Sequence, residues 1–201
     1  MKYNIIIRKG KVFDGHKIEN NVDIAIVGDK ISKIGKIQEQ GIVEINAEGF
    51  IISSGFIDVH THITLDQMKN NDGANLIYQG VTTAVTGNCG NSENPSSAKE
   101  LMNLINDMSI SNPSINIATL IGHNTVRNIV LQGNKNRSAT KKEIQELTDI
   151  VEEAIDVGAI GFSSGLMYPS GSFAGKNEIE TILRRVAKKG KVYTTHMRDE
   201  G

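Results

Sequence analysis

From Gly55 onward the chain alternates short β-branched runs with segments of helical periodicity, and that alternation constrains the fold more than any other feature. Strands are expected at Phe56–Ile63, Val81–Thr86, Ile115–Ile121, Ala159–Phe162 and Lys191–Met197. Between them, Ser97–Met108 carries Leu101, Leu104, Ile105 and Met108 at helical spacing, with Ser97 and Glu100 in a capping-box pattern. Thr140 and Glu143 repeat that pattern ahead of Ile144, Leu147, Ile150, Val151 and Ala154, and Gly158 closes the helix. Asn177 and Glu180 are read as the start of a third helix with Ile179, Ile182, Leu183 and Val186 inward and Gly190 at its end. Strands joined by helical crossovers make a parallel sheet with right-handed βαβ connections.

Two α/β architectures satisfy this pattern: an open doubly wound sheet and a (β/α)₈ barrel. A doubly wound nucleotide binder carries a glycine-rich phosphate turn after its first strand, whereas here that strand ends in His60-Thr61-His62. A (β/α)₈ barrel takes about 250 residues, and Gly55 to Gly201 supplies about 150, so the expectation is an incomplete barrel of about five strands. Ahead of it, Ile5–Arg8, Lys11–Phe13, Val22–Val27 and Lys30–Ile34, with Val43–Ile45 and Phe50–Ile52, read as a small antiparallel β-unit punctuated by Asp14-Gly15 and Gly28-Asp29. The expected division is residues 1–53 for the β-unit and 54–201 for the barrel portion.

Composition narrows the function classes. The chain has 38% hydrophobic and 22% charged residues and a net charge of −1, which suits a folded chain without a nucleic-acid surface or a polybasic membrane anchor. Aromatic content of 4% with no Trp argues against a base-stacking platform. The one Cys excludes an intrachain disulfide, and no apolar run approaches a membrane span, so a soluble cytoplasmic protein is expected.

The residues with chemistry gather at strand exits. His60 and His62 lie two apart on a strand and so share a face, at the rim where barrels of this kind build active sites. Cys89, in Thr86-Gly87-Asn88-Cys89-Gly90, follows the second strand between glycines that let the backbone approach an ion. His196 ends the fifth strand. His123, after the third, is equally readable as a polar loop anchor, and His16 as a solvated residue near a turn. Sulfur with imidazole selects zinc over magnesium or calcium, and the chemistry zinc supports is hydrolysis of an amide, an ester or a related bond.

The residues Gly55-Phe56-Ile57-Asp58-Val59-His60-Thr61-His62 resemble the first-strand motif of the amidohydrolase superfamily. Within it the chain is similar to the D-aminoacylases, the N-acyl-D-amino-acid deacylases. Gly80-Val81-Thr82-Thr83 through Gly87-Asn88-Cys89-Gly90, Gly122-His123-Asn124-Thr125-Val126-Arg127, Gly158 through Pro169 and Thr195 through Gly201 follow that family's motifs in order. The resemblance implies a zinc-dependent barrel beside a small β-sandwich built from both chain ends. It implies that His60 and His62 hold one metal position, that Cys89 and His196 contribute to the tightly held zinc, and that Tyr168 lines the substrate pocket. The substrate so implied is a small N-acyl-D-amino acid. Ser163, Ser164 and Arg198 fall on motif positions without an assigned role.

The same resemblance puts a further zinc histidine and the catalytic aspartate beyond Gly201, so the isolated chain is expected to be inactive, and to be poorly soluble, oligomeric or dependent on a complementing C-terminal segment. Ser54 stands where the family usually has a proline, Ile63-Thr64 where an acidic residue is common, and the stretch from Gly90 to Gly122 is shorter than usual. Two other readings remain open: a cyclic amidohydrolase of the dihydroorotase or hydantoinase kind, and a truncated non-catalytic relic. The first would want a lysine at the fourth strand, where Gly161-Phe162-Ser163-Ser164-Gly165 has none.

Overall fold

A computed structural model describes residues 3–64, 67, 73–93, 97–110, 113–199 and 201, without the side chains of 108–110. The side chain of Met108, expected on the inner face of a helix, and Glu200, part of the last motif, therefore lie outside what is described. The chain divides into two compact units, Met1–Gly55 and Phe56–Gly201.

The first unit is a five-stranded sheet of β1 (Tyr3–Phe13), β2 (Ile18–Val27), β3 (Lys30–Gly35), β4 (Gly41–Asn46) and β5 (Ile51–Ile52). The two strands expected at Ile5–Arg8 and Lys11–Phe13 are one bulged strand, with Lys9 at φ 59° where the register against β2 shifts. Gly28, at φ 61°, turns β2 back onto β3 as expected. The unit is mixed rather than antiparallel: β4 and β5 both run parallel to β1. The alternating runs mark strands but carry no direction, and here the chain leaves β3 and crosses to the far side of β1 before pairing again.

Arg8 holds that crossover. Its guanidinium donates to the carbonyls of Ile37 (2.6 Å) and Glu39 (2.7 Å), to Asp23 (3.1 Å) and in a fork to Glu44 (2.8 and 3.2 Å). Facing Arg8 and the Gly41 amide, the Glu44 carboxyl is held down to about 2. Ile6, Ala25 and Ile37 form the buried apolar centre.

The second unit is the five-stranded parallel half-barrel expected from the alternation. Its strands are β6 (Phe56–Asp58), β7 (Val81–Thr86), β8 (Asn116–Gly122), β9 (Gly161–Gly165) and β10 (Val192–His196), in spatial order β10-β9-β8-β7-β6 and all parallel. Helices α1 (Ala74–Ile77), α2 (Ala98–Ile110), α3 (His123–Val130), α4 (Lys141–Asp156) and α5 (Lys176–Lys188) lie in the connections. The face of α4 that reads as apolar is buried through Leu147, Ile150, Val151 and Ala154, and it packs with Leu101 and Ile105 of α2, Ile182 and Val186 of α5, and Ile121 and Phe162 of the sheet.

Several boundaries differ from expectation. β6 ends at Asp58 rather than Ile63, because the Asp58 carboxylate accepts the His60 amide and the ladder gives way to single bonds such as Thr61 N–H to the Val85 carbonyl (3.0 Å). β9 lies at Gly161–Gly165, later than Ala159–Phe162. Helix α3 was not expected: its eight residues mix polar and apolar side chains, yet His123 through Arg127 are all buried. Helix α5 starts at Lys176 behind Gly175 with no side-chain cap, so the Asn177–Glu180 capping box is not formed. The helix begins before Asn177, which is therefore inside its first turn rather than at the cap, and Glu178 turns into the core.

The capping box of α4 is complete: Glu143 N–H donates to Thr140 Oγ1 (3.3 Å) and Thr140 N–H to Glu143 (2.7 Å). Thr140→Ala should cost about 1 kcal/mol, and Phe162→Ala, which empties a fully buried ring site, about 3–5 kcal/mol, both read from urea unfolding midpoints.

Candidate metal centre

Beyond the end of β6 the chain stays extended along β7. Thr61 is tied to the Val85 carbonyl through both its amide and its hydroxyl (3.0 and 3.1 Å), and Thr86 Oγ1 donates to the Ile63 carbonyl at 2.6 Å. These bonds bury Thr61 and turn its neighbours outward, so His60 and His62 stand side by side with ring centroids 5.3 Å apart. The shared face expected for the pair is kept although the ladder itself stops earlier.

Cys89 reaches the pair through a tight reversal after β7. Gly87 (φ 77°), Cys89 (φ 56°) and Gly90 (φ 78°) all adopt left-handed backbone. A side chain at Gly87 would sit 2.2 Å from the Leu120 carbonyl oxygen and one at Gly90 2.6 Å from the Gly165 amide, so both positions require glycine twice over. Cys89 takes the same backbone against the ordinary preference of a residue with a Cβ. The result places Sγ 3.3 Å from His60 Nε2 and 3.8 Å from His196 Nδ1.

Donor atoms of His60, His62 and Cys89 all lie within 4.8 Å of one another, which fits one shared cation. Burial pushes the Cys89 thiol up, so a nearby cation is what would favour its thiolate. His196, at the end of β10, joins the group from the far side of the half-barrel. Its ring lies 4.8 Å from that of Tyr168, whose hydroxyl is 3.4 Å from His196 Nδ1. The structure thus brings together the four candidate donors His60, His62, Cys89 and His196 with Tyr168, and the soft sulfur with imidazole nitrogens fits zinc.

His16 is exposed on the first unit, its amide donating to Asp14. His123 is wholly buried, away from solvent and not at a loop. Its Nε2–H donates to Glu178 Oε1 (2.8 Å), and Arg127 Nη1 meets both Glu178 oxygens at 2.6 Å. Arg127 Nη2 also donates to the carbonyls of Lys135 (3.3 Å) and Arg137 (2.7 Å). Neither Glu178 nor Arg127 had a role in the sequence reading: Glu178 looks like an ordinary surface charge on a helix, and Arg127 falls in a segment where no helix was expected. Arg198, without a role in the sequence reading, donates to the carbonyls of Ser172 (2.5 Å) and Ala174 (3.1 Å) and so ties down the turn after Tyr168.

Imidazoles and a thiol thus meet at the carboxyl rim of a five-stranded parallel half-barrel. The chain belongs to the amidohydrolase family, whose model matches residues 43–199. It is 32% identical to a D-aminoacylase of Alcaligenes xylosoxydans xylosoxydans over 99% of its own length and 45% of that protein's. An N-acyl-D-glutamate deacylase of the same organism is 31% identical over 100% and 45%. Among solved structures, an N-acyl-D-glutamate deacylase from Bordetella bronchiseptica complexed with zinc and a phosphonate inhibitor superposes with a TM-score of 0.90 at 30% identity, over 100% of this chain and 46% of that one. An L-hydantoinase from Arthrobacter aurescens, at 16% identity and a TM-score of 0.69, shares the fold alone. The chain spans about 45% of the length of the curated relatives it matches. No helix among the described residues is long and apolar enough to cross a membrane.

The buried trio gives a pH dependence. Burial drives the His123 pKa down, against its bond to Glu178. Burial pushes the Glu178 carboxyl up, but the hydrogen bonds from His123 and Arg127 outweigh it and leave the group below its ordinary value. Both groups therefore take up protons more readily in the unfolded chain, so stability falls as pH drops below about 6.5, the ordinary imidazole value, and falls further through the carboxylate range. Unfolding free energies from urea titrations at pH 7.5 and pH 5.5 should differ with a slope of at most about 1.4 kcal/mol per pH unit from His123, and His123→Gln should flatten it. Equal free energies for the unsubstituted protein at the two pH values would contradict the account.

Proposed function

We propose that this chain carries the first part of a zinc-dependent deacylase that cleaves the amide bond of small N-acyl-D-amino acids. The observation that carries the reading is the convergence of Cys89 Sγ on His60 and His196 at the rim, in a chain of the amidohydrolase family similar throughout its length to D-aminoacylases. His60, His62, Cys89 and His196 are the proposed ligands. Residues 1–53 are proposed as the N-terminal portion of a small β-sandwich domain and 54–201 as the first part of the barrel.

His60, His62, Cys89 and His196 would hold a zinc ion, and the chemistry available there would be a bound water of pKa about 7 and polarisation of the acyl carbonyl. The chain's own residues supply the geometry. The left-handed backbone at Cys89 aims its sulfur into the cup, where a thiolate would offset a cation's charge. Asp58 and Thr61 fix the extended segment that presents both imidazoles. Tyr168, with its phenol directed at the His196 ring and its side chain partly exposed, is placed to donate a hydrogen bond to a bound acyl or carboxylate oxygen. The general base and the residue that protonates the leaving amine are not assigned among the described residues.

In the complete natural polypeptide, zinc-reconstituted enzyme should hydrolyse N-acetyl-D-amino acids and leave the L-enantiomers largely uncut, as measured by released amine. Cys89→Ala should lower metal content and reduce the rate by more than about 100-fold, beyond what loss of an outer partner costs. Normal zinc content with normal activity in that variant would remove Cys89 from the ligand set.

A further inference from the structure

The reversal that aims Cys89 needs something to hold it, since left-handed backbone at a residue with a Cβ is intrinsically disfavoured. Ser163 of β9 stands directly behind it and is fully buried. Its hydroxyl donates to the Gly87 carbonyl at 2.5 Å and accepts from the Gly90 amide at 3.0 Å. One oxygen thus joins the first and last residues of the four-residue reversal Gly87-Asn88-Cys89-Gly90, with its single proton and one lone pair both used. The middle of the loop is held separately. Asn88 Nδ2 donates to the carbonyls of Val59 (3.3 Å) and Val85 (3.1 Å), and Asn88 Oδ1 accepts from Thr194 Oγ1 (3.2 Å).

Ser164, the next residue, is just as buried but faces the other side of the strand, where its hydroxyl meets Tyr193 (2.7 Å) and Thr195 (2.8 Å). Two adjacent buried serines therefore have the same chemistry and burial but different partners. That difference separates an effect on Cys89 from a general effect on the strand.

We propose that Ser163 is a positioning residue for the metal centre: its hydroxyl closes the Gly87–Gly90 reversal and holds the Cys89 sulfur in coordinating position before any metal arrives. The inference rests on the proposed ligation by Cys89. It predicts that Ser163→Ala in the complete natural polypeptide binds cobalt(II) about 10- to 100-fold more weakly, with a weakened sulfur-to-cobalt charge-transfer band, the range expected when an outer partner of a ligand is lost. Ser164→Ala should stay within about threefold of the unsubstituted protein in the same titration. Equal losses in the two variants, or unchanged binding by Ser163→Ala, would overturn the proposal.

Amide hydrogen exchange in the metal-free, unsubstituted polypeptide gives a readout that needs no variant to fold. The Gly90 amide should already be protected, and free exchange until metal is added would equally overturn the proposal. Cys89→Ser, titrated alongside, should abolish the charge-transfer band. If the unsubstituted protein shows no such band, sulfur ligation itself falls, and the positioning role falls with it.

Discussion

The candidate centre depends on a backbone reversal with almost no room in it. Between β7 and the following loop, Gly87, Cys89 and Gly90 take left-handed conformations while the chain passes within contact of Leu120 and Gly165. Glycine is required where a Cβ would strike a neighbouring backbone, and the residue with a side chain is the one whose sulfur is aimed at His60 and His196. Here the local strain and the chemistry coincide. A straighter exit from β7 would relieve Cys89 but carry its sulfur away from the imidazoles.

The parallel sheet turns that local geometry into a centre. His60, Cys89 and His196 come from the exits of β6, β7 and β10, the first, second and fifth strands of this sheet in chain order, with β6 and β10 at its two edges. Each strand delivers its donor at the same carboxyl rim because all run in the same direction. Helices α2, α4 and α5 hold the strands from outside through one apolar cluster, and the trio of His123, Arg127 and Glu178 joins α3 to α5 within it. Removing one member of such a buried ionic group leaves the others uncompensated, so the trio couples the third and fourth crossovers firmly.

Much of this was legible in the sequence because it is periodic. Apolar residues at spacings of three and four gave α2 and α4, β-branched runs gave the strands, and Thr140 with Glu143 marked a helix start that the structure forms in full. What was not legible lacked period. Helix α3 is short and its buried residues include a histidine, an asparagine and an arginine, so no apolar stripe announces it. At α5 the opposite error arises: Asn177 and Glu180 have the spacing of a capping box, but the helix begins before Asn177 and starts without one, while Glu178 is committed to Arg127 across the core. The direction of β4 was hidden for a related reason, since alternation tells which face is buried and nothing about which neighbour the strand finds.

The sequence by itself determined the alternation of strands and helices, the apolar faces and the candidate donors His60, His62, Cys89 and His196, because residue type and spacing are local properties. It could mark Gly87 and Gly90 as turn residues but could not say what they avoid. Only the tertiary structure decided that Leu120 and Gly165 press against them, that the Ser163 hydroxyl bridges the two ends of the loop, and that Glu178 is a core residue. Those facts depend on segments far apart in the chain being brought into contact, and hydrogen bonds and steric limits act only between groups that meet.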